Sequence, residues 1–346
     1  MVKDRRSPRP RLTDVAERAG VSMKTVSNVV GGYAPVSDRT REKVLAAIAE
    51  TGYRPNLSAR NLARGRSGTI LLAVPRLELP YFASLAGHIV TAAATRGWTV
   101  LLHQTDGTAE GERAVLEEEP SQRLDGMIVS TQHLRAVEVH RTDAVPLVLL
   151  GDLEPHGAIA HVGIDNWAAG RAAAVHLAGV GCRRVAMIGA GIGTTRRDRT
   201  AGVAAGLREA GLPVLPELLR PIAANTGEEG ERVVTEMLAE LRAAGAPPPD
   251  GVFAVTDWVA MGALRALHRS GLAVPADVAV IGFDDIPYAT SSLPTLSTIA
   301  ADRACIADHA VALLEEQQGS AMDSPARTAQ RFAPFALVPR ESTARP

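Results

Sequence analysis

The stretch VSMKTVSNVV at residues 21–30 puts Val21, Val26, Val29 and Val30 on one helical stripe and polar side chains on the other faces. With TDVAERAG before it, it reads as two helices joined by AGVS, a helix-turn-helix pattern. Thr13 reads as the N-cap of the first helix, with Asp14 in its first turn and Gly20 closing it. Ser22 caps the second helix, which ends at Gly31-Gly32. Ala16 and Gly20 are small where the two helices cross, and Val15, Val21 and Val26 fill the space between them. The second helix then presents Met23, Lys24, Thr25, Ser27 and Asn28 outward. A helix of this size fits the DNA major groove. Lys24 can donate to guanine, Asn28 can pair with adenine, and Met23 offers apolar contact, while Thr25 and Ser27 suit phosphates.

Other candidate chemistry is weaker. RRVAMIGAGIGTTR approaches a dinucleotide-binding fingerprint, but Thr194 stands where the last glycine belongs, and no acidic residue ends a following strand at the usual distance. Asp284 and Asp285 are adjacent after a strand, so they point apart and cannot easily flank one bond. The nine histidines show no metal-ligand spacing, and His88, His176 and His268 read as ordinary helix residues. Cys182 and Cys305 are far apart and form no CxxC pair, as suits a reducing compartment. No GxSxG elbow occurs. An enzyme is not expected, nor a metal or cofactor.

These residues need elements to hold them. Of the 346 residues 46% are hydrophobic and 22% charged, which suits a globular chain of two or three domains. Residues 1–66 hold fourteen Lys/Arg against six Asp/Glu, and the remainder 23 against 32. A small basic head on an acidic body points to a polyanionic partner for the head. A third helix, DRTREKVLAAIAETG, is capped by Ser37 and stopped by Gly52, with Val44, Leu45 and Ile48 as its apolar stripe. In the linker RPNLSARNLARGRSG, Asn56 can cap one short helix ending near Arg64. From Thr69 onward, apolar runs such as TILLAV, GMIVS, PLVLL, GVFAV and DVAVIGF alternate with helical stretches. That alternation predicts parallel sheets covered on both faces, and its length predicts two α/β lobes. The change of lobe is expected near Ile164–Asn166 and the return near Leu296–Ile299. The basic start MVKDRRSPRPRL is followed by no apolar run, so no secretory signal is expected. No stretch nears roughly eighteen uninterrupted apolar residues, so no membrane span is expected, and a cytoplasmic setting is the expectation.

TDVAERAGVSMKTVSNVV, VSDRTREKVLAAIAETGYRPN and ARNLARGRS, in this order and spacing, closely resemble the lactose/galactose repressor family of bacterial transcription regulators. The resemblance continues through VGIDN, RDRTAGVAAGL, TDWVAMGALRAL, VPADVAVIGFDD and LPTLSTI. It implies an all-α helix-turn-helix head over 1–55, a hinge helix and linker over 56–68, and a two-lobed body like periplasmic binding proteins over 69–346. It implies a palindromic double-stranded DNA operator, contacted by Thr13, Ser22, Met23, Lys24, Thr25, Ser27 and Asn28. In the hinge, Leu62 matches a minor-groove wedge, and Arg60, Arg64 and Arg66 match phosphate contacts. It implies a small-molecule effector between the lobes, a sugar or alternatively a purine or other metabolite. The matching contacts are Tyr81, Phe82, Arg199 and Asp284, with Phe82 expected in the loop behind the first strand. Arg199 and Asp284 are opposite charges that can pair when the cleft is empty. Thr256-Asp257 stands where many members have Asn-Asp, and Thr lacks the paired amide donor and acceptor. Trp258, which follows, reads either as a second aromatic wall or as packing, and Asn225 as contact or rim. With no leucine heptad after LVPRESTARP, a homodimer is the expected state.

Overall fold

The computed structural model describes residues 10–31, 36–53, 66–117, 124–133, 145–151, 159–190, 194–318, 320 and 324–345. The chain divides into two compact units, Met1–Gly68 and Thr69–Pro346.

The first unit holds α1 (Leu12–Ala19), α2 (Met23–Val30) and α3 (Asp38–Thr51). Val15, Ala16, Val26, Val29, Val44 and Ala47 form its core. Three details depart from the sequence reading. The N-cap of α1 is Arg11, not Thr13. Its N–H donates to the Asp14 carboxylate at 2.7 Å, so the helix starts two residues early and Thr13 lies exposed in its first turn. Gly20 does close α1, but a Cβ there would meet nothing within 4 Å, so helix crossing does not require it. Its φ of +66°, which ends the helix, does. Leu45 is 54% exposed, because Val44 and Ala47 define the buried face of α3 and Leu45 falls outside it. The reading for 56–64, including Arg60, Leu62 and Arg64, lies outside the described residues.

The second unit begins with β1 (Thr69–Val74), α4 (Pro80–Thr95), β2 (Thr99–Gln104), α5 (Ala109–Glu117) and β3 (Gly126–Ser130). It continues with β4 (Leu147–Leu150), β5 (Ala160–Gly163), α6 (Asn166–Gly179), β6 (Val185–Ile188), α7 (Thr194–Glu209) and β7 (Leu219–Arg220). Then come α8 (Gly227–Ala243), β8 (Gly251–Ala254), α9 (Asp257–Arg269), β9 (Ala279–Phe283), β10 (Ser297–Ala301), α10 (Arg303–Gln317), β11 (Gln330–Phe332) and β12 (Phe335–Val338). One sheet runs β11-β5-β4-β3-β1-β2 and the other β12-β10-β9-β8-β6-β7. Every pairing is parallel except β10 with β12. Strands β3, β4, β5, β6, β8 and β9 are buried throughout, as helix-covered parallel strands must be. The edge strand β2 differs, with Leu101 and Leu102 each 43% exposed.

The first lobe change follows β5, within the expected stretch. The return does not lie at Leu296–Ile299. There β10 still pairs with β9, Ser297 opposite Ile281, and the chain crosses back only at Ala301–Arg303. A third crossing, at Ala333–Pro334, joins β11 to β12. Backbone hydrogen bonds lace the crossings together: Ala333 N–H donates to Gly163 O at 2.8 Å and Asp302 N–H to Pro334 O at 3.0 Å.

Helices α6 and α7 pack backbone against backbone. A Cβ on Gly202 would lie 2.0 Å from the Trp167 carbonyl oxygen, and one on Gly170 would lie 2.2 Å from that of Arg199. Only glycine permits this approach, and it seats the first half of α7 against the crossing.

Candidate functional site

On the head, α2 is capped by Ser22, whose Oγ accepts from Thr25 N–H at 3.1 Å and lies 2.9 Å from Thr25 Oγ1. Val26 and Val29 turn inward, which leaves Met23, Lys24 and Ser27 exposed and Thr25 and Asn28 half-buried. The five outward residues of the sequence reading thus share a surface, with Thr25 already engaged in the cap. Arg18 pairs with Glu50 at 2.5 Å and ties α1 to α3.

In the body, a cleft of about 960 Å³ opens between the two lobes. It lies at the carboxyl ends of parallel strands, where helix N-termini and loops converge. Tyr81, Phe82, Arg199, Thr256, Trp258 and Asp284 all line it. Phe82 is not in a loop as the sequence reading had it, and neither is Tyr81. Pro80, at the first position of α4, starts the helix there, and the two rings meet edge to face at 5.2 Å. Burial and the Asp284 charge push the Tyr81 hydroxyl up to about 12.

Arg199 is held from several sides. Its Nε donates to Asn166 Oδ1 at 2.9 Å and its Nη1 to the Val255 carbonyl at 2.6 Å, while its guanidinium lies 3.4 Å from the Phe283 ring centre. Asp284 Oδ1 stands 3.9 Å from Arg199 Nη2, a loose pair. Asp284 is 7% exposed, and its backbone takes a φ of +110°, a conformation Asp and Asn tolerate better than other side chains. Arg303 donates to the Asp284 and Asp285 carbonyls, and Arg340 to Asp285 Oδ1 at 2.7 Å, so the two carboxylates have separate surroundings. Burial lifts the Asp284 carboxyl to about 6, against the pull of Arg199 and Arg303.

Thr256 caps α9, its Oγ1 accepting from Val259 N–H at 3.2 Å. Trp258 packs against Tyr288, ring centres 5.7 Å apart, so it is both wall and packing. Asn225 accepts from Arg196.

Sequence reasoning missed Asp257, Asn166, His161 and Arg196. Asp257 is fully buried and clamps the loop after β9, accepting from Thr298 Oγ1 at 2.6 Å and Ile286 N–H at 2.8 Å. Burial, then the Asp284 charge, raises its carboxyl well above the ordinary range. Gly282 makes room for it, since a Cβ there would lie 2.2 Å from Asp257 Oδ1. No sequence spacing signals these partners. Among the described residues no group of three or more His, Cys, Asp or Glu is placed to hold a metal, and no helix is long and apolar enough to cross a membrane.

Comparison with known proteins bears on both units. Residues 11–56 match the family model "Bacterial regulatory proteins, lacI family", and residues 174–343 match "Periplasmic binding protein-like domain". The ribose operon repressor of Halalkalibacterium halodurans is 35% identical over 289 residues, 83% of this chain and 84% of that protein. The HTH-type transcriptional regulator GntR of Pseudomonas aeruginosa is 33% identical over 98% of this chain and 97% of its own. Among solved structures, the lac repressor dimer bound to operator and the anti-inducer ONPF matches with a TM-score of 0.79 and 30% identity, covering 97% of this chain and 99% of that one. A complex of the regulator CelR with cellobiose matches with a TM-score of 0.68 and 28% identity, covering 96% of this chain and all of that one.

Proposed function

Because the chain belongs to the lacI family of bacterial regulatory proteins, a family of DNA-binding transcription regulators and not enzymes, we propose that α2 reads the operator and the interlobe cleft holds the effector. Lys24 and Asn28 reach base edges, Met23 gives apolar contact, and Ser27 meets phosphate. The 56–68 linker forms the hinge, with Leu62 as wedge and Arg60, Arg64 and Arg66 on phosphates. The protein works in the cytoplasm as a homodimer on a palindromic site. Leu101 and Leu102 on the edge strand β2 are apolar surface that a second copy would cover.

The observation that carries the effector reading is the cleft itself, with Phe82 from one lobe and Arg199 and Asp284 from the other facing one space. A sugar suits this set: an aromatic ring for the sugar's apolar face, a guanidinium and a carboxylate for its hydroxyls. A ligand touching both lobes prefers one lobe arrangement and shifts operator affinity by its difference in affinity for the two. The aromatic lining of Phe82 and Trp258 supports a second reading, a flat purine-like co-repressor. Titrating operator affinity against sugars and purines tests both, since an inducer weakens binding and a co-repressor strengthens it. A ligand at a hundredfold its Kd should also stabilise the protein by about 2.7 kcal/mol. If no sugar or purine changes operator affinity, the effector reading fails.

A further inference from the structure

We propose that the molecule the cleft takes is an anion: a hydroxylated carbon chain whose carboxylate or phosphate lies against Arg196. This rests on the reading of the cleft as the effector site and narrows its ligand class.

The argument starts from charge. The cleft lining includes Arg76, Arg196, Arg197 and Arg199 against Asp106 and Asp284. Most of these are already engaged. Arg76 pairs with Glu78 just outside the cleft. Asp106 accepts from the Gln104 amide at 2.7 Å. Arg199 has Asn166, Val255, Phe283 and Asp284 around it, and Arg197 is exposed to solvent.

Arg196 is different. It is half-buried, and its bonds go to two neutral acceptors, the Ile222 carbonyl and Asn225 Oδ1, both at 3.3 Å. Those distances are long for a guanidinium, whose bonds to anions run near 2.8 Å. No carboxylate among the described residues pairs with it, and the charge that shifts it is the like charge of Arg199. Burial and that repulsion lower its pKa, both marks of an uncompensated cation. Arg196 also sits in the first turn of α7, where the helix dipole adds positive potential.

A separate observation points to a ligand in the same space. His161, on β5 at the cleft lining, is 4% exposed, and its Nε2 has no hydrogen-bond partner among the described residues. Burial pushes its imidazole down to about 4, so at neutral pH it is uncharged, with a polar nitrogen left unsatisfied beside the cleft. A neutral sugar can satisfy Arg199, Asp284 and His161 through hydroxyls. It leaves Arg196 uncompensated, and an oxyanion does not.

The test uses the full chain and a matched panel: ribose, arabinose, glucose and galactose, the aldonate of each, and the terminal phosphate ester of each. Calorimetry gives the affinities. The tightest member should be an anion, and the aldonate or phosphate arm that wins identifies which oxyanion the site prefers. In Arg196→Gln the advantage of that anion over its neutral parent should fall about ten- to a hundredfold, and Arg196→Lys should keep part of it. Melting without ligand reads the folding of each variant separately. A neutral sugar that binds tightest, or an anion whose advantage survives Arg196→Gln, overturns the proposal and leaves the effector reading standing. If no member, neutral or anionic, binds or changes operator affinity, both fall.

Discussion

Replacing Asp284 by Asn should make the protein more stable and weaken its response to the effector. The carboxyl is lifted from an ordinary 3.8 to about 6, chiefly by burial. Roughly two units at 1.36 kcal/mol each amount to about 3 kcal/mol, the cost of keeping Asp284 charged in the folded state at neutral pH. The sign follows from proton binding. Between pH 3.8 and about 6 the folded protein holds a proton that the unfolded chain has lost, so wild-type stability falls as pH rises through this window. Asn does not titrate, and it tolerates the φ of +110° as Asp does. It also removes the charge that Asp257 faces, which acts in the same direction. Urea unfolding followed by tryptophan fluorescence should therefore show Asp284→Asn ahead of wild type by up to about 3 kcal/mol above pH 7, with the gap closing toward pH 4. Operator binding without ligand should be unchanged. The effector midpoint should move by about tenfold or more, because half the acceptor capacity is gone. A variant less stable than wild type at pH 7.5, or a gap that does not shrink on acidification, would refute the account of Asp284 as a strained, functional carboxylate. A wild-type midpoint in both Asp284→Asn and Arg199→Ala would put the effector elsewhere.

Three further outcomes are expected. Asn28→Ala should change the preferred base at one half-site position, at a cost of about 1–3 kcal/mol, when binding sites are selected from a random pool; a uniform loss over all sequences would sink the base-reading role. Leu62→Ala should lower operator bending in a fluorescence or gel assay without disturbing dimerisation, since the lost wedge offsets unstacking worth a few kcal/mol. Gly202→Ala forces a Cβ to within 2.0 Å of the Trp167 carbonyl oxygen, so α6 and α7 must separate, costing about 1–3 kcal/mol by urea unfolding and weakening the hold on Arg199.

Most of the strands that sequence reading found are those whose burial is apolar; the edge strand TVLLH was found by its apolar run although it is largely exposed. TILLAV, GMIVS and GVFAV are buried from end to end or nearly so, and an apolar run is what such a strand must be. It missed β10 because Ser297 and Thr298 are buried there as polar residues, satisfied by Ser342, Thr343 and Asp257 from far along the chain. That misplaced the return crossing. β7, β11 and β12 are two to four residues long and only partly buried, too short to carry a period. In the site, Arg199 and Asp284 stand inside motifs and were legible. Arg196, His161 and Asn166 matter through what surrounds them, and neighbours in space leave no mark at any fixed spacing. The Leu45 error has a related cause: a helix stripe has a width, and which edge of it faces the partner helix is settled by packing.

The three crossings carry a mechanical consequence. Lobes tethered by a single linker can tumble in any direction, whereas three side-by-side connections, stitched by Gly163 with Ala333 and Asp302 with Pro334, resist torsion and sliding together. What remains is a bend about one axis, so whatever occupies the cleft is translated into a single angle. Trp167, 45% exposed at the start of α6 beside the first crossing, stands where that angle changes its surroundings. Its emission is a built-in protractor for the state of the body.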